Sequence, residues 1–169
     1  MGRIAWLVIA LFAARPAVAQ SAWDLGKKAV GGAATSKLEN QINTRLLDES
    51  RKNQCSFKTD SDELEKGCDQ KAHRLAQAVL DAKKHLEASG VRSFKFEVSG
   101  HTDSSGSSGH NKELSQKRAD RMRKELVAKG VTDSDVMAVG MGSEKPLVKP
   151  DNTAAKKAKN RRYEVRVRL

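Results

Sequence analysis

Asp103 and Arg118 are the pair of residues in this chain best placed to do chemistry together. Asp103 stands in a serine and glycine loop, GHTDSSGSSGH at 100–110, and Arg118 falls in the helical pattern NKELSQKRADRMRKEL that follows. Turning about 100° per residue from Leu114 puts Ala119, Met122 and Leu126 on one side and Arg118 near 40°, between Leu114 and Met122. Lys117, Asp120 and Lys124 point away. An arginine at the margin of a packing face, beside a loop with a single acid, has two bland explanations. The two residues form an ion pair that staples loop to helix, or Asp103 only shapes a turn through its own backbone. The functional alternative is a split receptor for a zwitterion. The guanidinium takes a carboxylate in two parallel bonds, and the aspartate takes the neighbouring ammonium. Each such bond contributes about 1.5–3 kcal/mol when shielded from water.

Catalysis is a poor fit to the same loop. His101, Asp103 and the serines are close in sequence, but a nucleophile–base–acid device is defined in space, and no GxSxG elbow is present. His73, His85, His101 and His110 lack metal-ligand spacing, and Gly106 and Gly109 do not build a phosphate loop. The expectation is a binding domain with no metal and no cofactor.

The elements that would hold the pair are legible from Gln54 onward. Cys55 and Phe57 alternate with polar residues as a short strand. Ala72, Leu75, Ala76, Val79, Ala82 and Leu86 form a helical stripe that ends at Ser89-Gly90. Phe94, Phe96 and Val98 alternate as a half-buried strand, ending just before the loop with Asp103. A helix over about 111–129 is closed by Gly130. Val136–Val139 is a third strand, 141–160 an irregular loop, and Tyr163, Val165, Val167 and Leu169 mark a last strand. The order β-α-β-α-β-β predicts an α+β fold, a two-layer sandwich with helices on one face of a mixed four-stranded sheet.

Residues 1–19 read as an export signal: a positive start, an apolar run over Ile4–Ala14, and Ala17-Val18-Ala19 before Gln20. No cysteine stands at the cut, so a lipid anchor is not expected. Leu38, Ile42 and Leu46 make a thin stripe within 20–53, read as a helical linker or a segment that docks on an envelope protein. Cys55 and Cys68 fit either a disulfide, favoured by export, or two buried thiols. The formal charge is +11 with 4% aromatic residues, which argues against nucleic acid, where stacking platforms are needed. Such a charge fits attraction to anionic envelope polymers or lipid head groups as well as a merely solvated surface with no specific partner.

At Gly100-His101-Thr102-Asp103, Gly106, Asn111, Leu114-Ser115 and Arg118-Ala119 the chain resembles the OmpA-like peptidoglycan-binding domain. FKTDSDEL at 57–64, Gly140-Met141-Gly142 with Pro146, and Asn160-Arg161-Arg162 add to the resemblance, which covers 54–169. It implies the same sandwich fold and a ligand, the diaminopimelate of the peptidoglycan stem peptide. By resemblance Asp103 holds its ammonium and Arg118 its carboxylate. Asp60 adds a polar contact, Thr102, Asn111 and Leu114 shape the pocket, and Arg162 forms or braces its wall. His110 departs from the family's usual aromatic, and Lys58 from a frequent aspartate. The implied role is non-covalent attachment of the wall to the outer membrane or an envelope complex, in the periplasm. The alternative is an envelope protein-interaction module with a weakened wall site. A homo-oligomer would add avidity to either.

Overall fold

The computed structural model describes the backbone of residues 18–169 and side chains from Gly32 onward. The expected export signal lies, except for its last two residues, outside the described residues. Helix α1 spans Val18–Lys52. The compact unit that contains the candidate site runs from Ser36 to Leu169, so it starts earlier than the boundary expected at 54. Burial explains the difference. Ile42 and Leu46 of the thin stripe are buried in the core, with Leu38 packed against it. Each such aliphatic side chain contributes about 1.5–3 kcal/mol by leaving water.

Strand β1 (Lys95–His101) is central, with β2 (Val136–Gly140) parallel to it and β3 (Arg162–Arg168) antiparallel. Phe96 and Val98 face the helical layer with their partners Val136, Val165 and Val167. Helix α2 (Cys68–Ala88) buries the full stripe expected of it, Ala72 through Leu86. Helix α3 (Ser108–Ala128) buries Ser115, Ala119, Met122 and Leu126. Its approach to the sheet is close. A Cβ on Gly100 would lie 2.2 Å from the Ser115 carbonyl oxygen, and one on Gly140 would lie 2.5 Å from the Gln116 nitrogen. Glycine at both places therefore sets how near α3, and with it Arg118, comes to the end of β1. The opposite sheet face is polar, with Arg168 paired to Glu97 at 3.0 Å and Arg166 to Glu164 at 3.0 Å.

The described residues form three strands, not four. Phe57 makes only an isolated bridge to Leu64. Cys55 is tied to the start of α2 by a disulfide to Cys68, with a Cα–Cα distance of 5.1 Å, and its N–H donates to Tyr163 Oη at 3.0 Å. The place beside β3 is already filled by side chains of α1 and its C-terminal extension. Asn43 accepts from Val167 N–H at 2.7 Å and donates to its carbonyl at 3.1 Å. Ser50 accepts from Val165 N–H at 3.0 Å, and Gln54 bonds both backbone groups of Tyr163. A buried strand edge must satisfy these groups somewhere. Here a helix face does so in place of a strand. On the other edge, Gln116 bonds the Ala138 carbonyl and the Gly140 N–H, and Arg123 donates to the Val136 carbonyl. A short helix, α4 (Ala154–Asn160), lies within the expected irregular loop. Its alanine-rich composition favours helix, and the Thr153 side chain caps it by accepting from Lys156 N–H.

Candidate functional site

The end of β1 delivers Thr102 and Asp103 to the rim of a cleft. Pairing continues past the strand, since Met141 N–H donates to the Gly100 carbonyl at 2.8 Å and Thr102 N–H to the Gly142 carbonyl at 2.9 Å. Ser115 of α3 accepts from Gly142 N–H at 2.8 Å. Strand, returning loop and helix are therefore fixed to one another where the cleft begins. Its volume is about 1060 Å³, and its lining includes Asp60, Thr102, Asp103, Asn111, Leu114, Arg118, Arg161 and Arg162. All seven residues singled out from the sequence lie on this one surface.

Asp103 and Arg118 do not clasp each other. Asp103 Oδ1 accepts from Ser105 N–H at 2.9 Å, the turn geometry anticipated as a bland role, while Oδ2 takes Arg161 Nη1 at 2.7 Å. Burial on its own would raise the Asp103 carboxyl. Hydrogen bonds from Arg161 and Ser105 outweigh it and hold the group below the ordinary carboxylate range. Arg118 is 8% exposed. Its Nε donates to the Ser61 carbonyl at 2.9 Å and its Nη2 to the Lys58 carbonyl at 3.4 Å. The Phe57 ring centroid is 5.0 Å from the guanidinium carbon, a cation–π distance. Burial and the charge of Arg161 both lower the Arg118 pKa, against Asp60 and Asp103, which raise it. A guanidinium nevertheless stays charged at neutral pH. The result is a cation and an anion on one cleft, each held by protein groups other than its opposite.

The remaining residues divide into rim and brace. Asn111 Nδ2 donates to the Ser105 carbonyl at 2.8 Å and so sets the loop that follows Asp103. Asp60, with φ 51°, meets His110 Nε2 at 2.6 Å. The histidine that departs from the family pattern thus ties the 58–63 turn to the first turn of α3. Arg162 is engaged by Glu164 at 2.7 Å and by the Lys145 carbonyl at 3.2 Å, so it braces the wall. Thr102 Oγ1 and His101 Nδ1 are buried with no hydrogen-bond partner among the described residues.

The OmpA family model matches residues 56–161. The chain belongs to the OmpA family. This OmpA-family domain is 50% identical over 72 residues to outer membrane porin F of Pseudomonas fluorescens, a stretch covering 42% of this chain and 22% of the porin. It is 43% identical over 68 residues to the peptidoglycan-associated lipoprotein of Buchnera aphidicola, covering 40% of this chain and 39% of the lipoprotein. The chain thus matches well under half the length of these relatives. Among solved structures, the peptidoglycan-associated lipoprotein of Burkholderia pseudomallei is 30% identical with a TM-score of 0.55, over 68% of this chain and 89% of that one. The C-terminal domain of Helicobacter pylori MotB shares the fold, with a TM-score of 0.57 at 23% identity over 69% of this chain and 84% of that one. The family is structural, non-enzymatic and peptidoglycan-binding. No described helix is long and apolar enough to cross a membrane.

Two polar residues of this OmpA-family site escaped the sequence reading as individuals. Arg161, not Arg162, reaches Asp103. Strand parity carries the signal: Tyr163, Val165 and Val167 face the core, so Arg162 shares the polar face with Glu164 and pairs with it. Asp151 accepts from Ser104 N–H at 2.9 Å, from the Ser104 hydroxyl, and from Asn160 Nδ2 at 3.0 Å. Those bonds pull its carboxyl down to about 2. Asp151 thereby joins the loop after Asp103 to the end of α4, and no period in the sequence marks it.

Proposed function

We propose that this domain holds peptidoglycan non-covalently through the diaminopimelate of the stem peptide, linking the wall to the outer membrane or an envelope complex from the periplasmic side. Membership of a peptidoglycan-binding family supports the wall as partner. The observation that carries the site is the absence of a direct Asp103–Arg118 bond while both line one cleft. A carboxylate replaces the weaker backbone acceptors of Arg118, and an ammonium shares Asp103 with Arg161. The carboxylate of Asp103 has lone pairs for both donors. Docking on an envelope protein through the Leu38–Ile42–Leu46 stripe has less support, because that stripe packs in the domain's own core.

Co-sedimentation with purified sacculi tests the site. Asp103→Ala and Arg118→Ala each remove charge-assisted bonds of about 1.5–3 kcal/mol, so retention falls at least about tenfold. Both variants must keep the wild-type circular dichroism. Equal retention of folded wild type and variants rejects the assignment.

A further inference from the structure

His110 stands where the family usually has an aromatic residue, and its ring makes two contacts at the mouth of the cleft. It lies against Gly106 in the loop that follows Asp103, where a Cβ would be 3.9 Å from His110 Cδ2. Its Nε2 meets Asp60 Oδ1 at 2.6 Å. All three residues line the cleft. Asp60 belongs to the 58–63 turn, which presents the Lys58 and Ser61 carbonyls to Arg118. One imidazole thus touches the loop of the anionic pole and the turn that seats the cationic one. Among the described residues Asp60 is also the one non-glycine with positive φ, and backbone strain of that kind collects at functional sites.

The turn is otherwise closed on itself. Lys58 pairs with Glu63 at 2.5 Å, Lys58 N–H donates to the Glu63 carbonyl at 2.9 Å, and Ser61 N–H donates to the Lys58 carbonyl at 3.3 Å. Among the described residues its hydrogen bonds to α3 are those of Arg118 and His110. Two acids face the imidazole: Asp60 from the turn, and Glu113 from α3 itself, which is paired with Lys117 at 2.7 Å. Asp62 acts on Lys117 and Arg118, and residues 104–109 carry no charge. Neutral His110 offers Asp60 a single N–H. Once protonated it is a charged donor, and a bond between ionised partners is roughly twice as strong. Histidine makes that change between about pH 5 and 8. We infer that His110 is a positioning residue that holds the two poles of the cleft at a fixed separation, and that its protonation tightens binding of the stem peptide. The inference rests on the proposed diaminopimelate reading and adds a pH dependence to it.

The test is calorimetry of the full chain with an N-acetylated stem peptide that contains diaminopimelate, at about pH 5.5 and about pH 7.5 and constant ionic strength. Acetylation removes the peptide's terminal amine, so its remaining groups keep their charges over that range. His101, which burial pulls down to about 4, stays neutral throughout. Wild type is expected to bind about 2- to 5-fold more tightly at the lower pH, the range of one exposed ion pair. In His110→Phe, which keeps a ring against Gly106, and in Asp60→Asn, that ratio falls to near one while circular dichroism is unchanged. His73 and His85 are present in every variant, so a ratio that survives in His110→Phe places the proton elsewhere and overturns the inference. A ratio lost in His110→Phe but kept in Asp60→Asn overturns it too, because the imidazolium then acts on the ligand directly. A wild-type ratio of one or less has the same consequence, while the binding itself leaves the diaminopimelate reading in place. No binding of wild type at either pH overturns that reading and the inference with it.

Discussion

Replacing both cysteines, Cys55→Ala/Cys68→Ala, separates the stability of the domain from the readiness of its site. The bridge spans 13 positions, and closing a loop of that size limits the unfolded chain by about 3 kcal/mol at 25 °C. For a compact unit of this length the loss lowers Tm by roughly 10 °C. Alanine is the better replacement because both sulfurs are buried, and serine would leave hydroxyls without partners. The same loop presents the Lys58 and Ser61 carbonyls to Arg118 and the Phe57 ring to its guanidinium. Without the bridge, Arg118 must be ordered again when ligand arrives, at about 0.5–1.5 kcal/mol. Sacculus affinity should then fall about 3- to 10-fold, less than in Arg118→Ala. Urea titration followed by circular dichroism reads the first effect, and co-sedimentation well below the unfolding midpoint reads the second. A midpoint equal to that of the oxidised wild type refutes the loop-constraint account. A lowered midpoint with unchanged affinity refutes the claim that this loop prepares Arg118.

Gly100→Ala and Gly140→Ala each drive a methyl group into α3 backbone, so a loss of about 3 kcal/mol or failure to fold is expected; urea midpoints near wild type count against the close helix–sheet approach. Arg161→Ala removes the main hydrogen bond that keeps Asp103 ionised against burial. The carboxyl pKa should rise, so sacculus binding fails at a higher pH on acidification than in wild type, as NMR titration and pull-downs across pH would show. His101 is held neutral, pulled down to about 4 from 6.5 by burial first and then by the charge of Arg162. A depressed histidine stabilises the fold above its unfolded pKa, and that contribution drains away as pH falls from about 6.5 to about 4. The loss is on the order of 3 kcal/mol. The denaturation free energy of wild type should fall relative to that of His101→Gln as pH drops through that window; parallel curves refute the assignment.

What could be read without coordinates was whatever repeats. The stripe from Ala72 to Leu86 and the alternation at Phe96 and Val98 are periodic because one face of each element is dry. Arg118 stood out because a charge interrupts that pattern. Polar residues used inside the fold leave no such trace. Asn43, Ser50 and Gln54 look like the solvated side of a helix, yet they complete the hydrogen bonding of β3. For the same reason the strand-like alternation at Cys55 and Phe57 adds no strand to the sheet: the place beside β3 is occupied by a helix. Asp103 was read as a ligand contact or a turn former; its carboxylate forms the turn and remains on the cleft.

Both margins of the sheet are closed by side-chain amides, a hydroxyl and a guanidinium. A neighbouring chain therefore finds no row of vacant main-chain groups to add a strand to. For the attachment to a polymer of repeating sites proposed above, this removes the commonest route from crowding to fibrous self-assembly. Among the described residues, contact with another polypeptide is left to helices, loops and the outer face of the sheet, and on that charged face salt and pH can undo it.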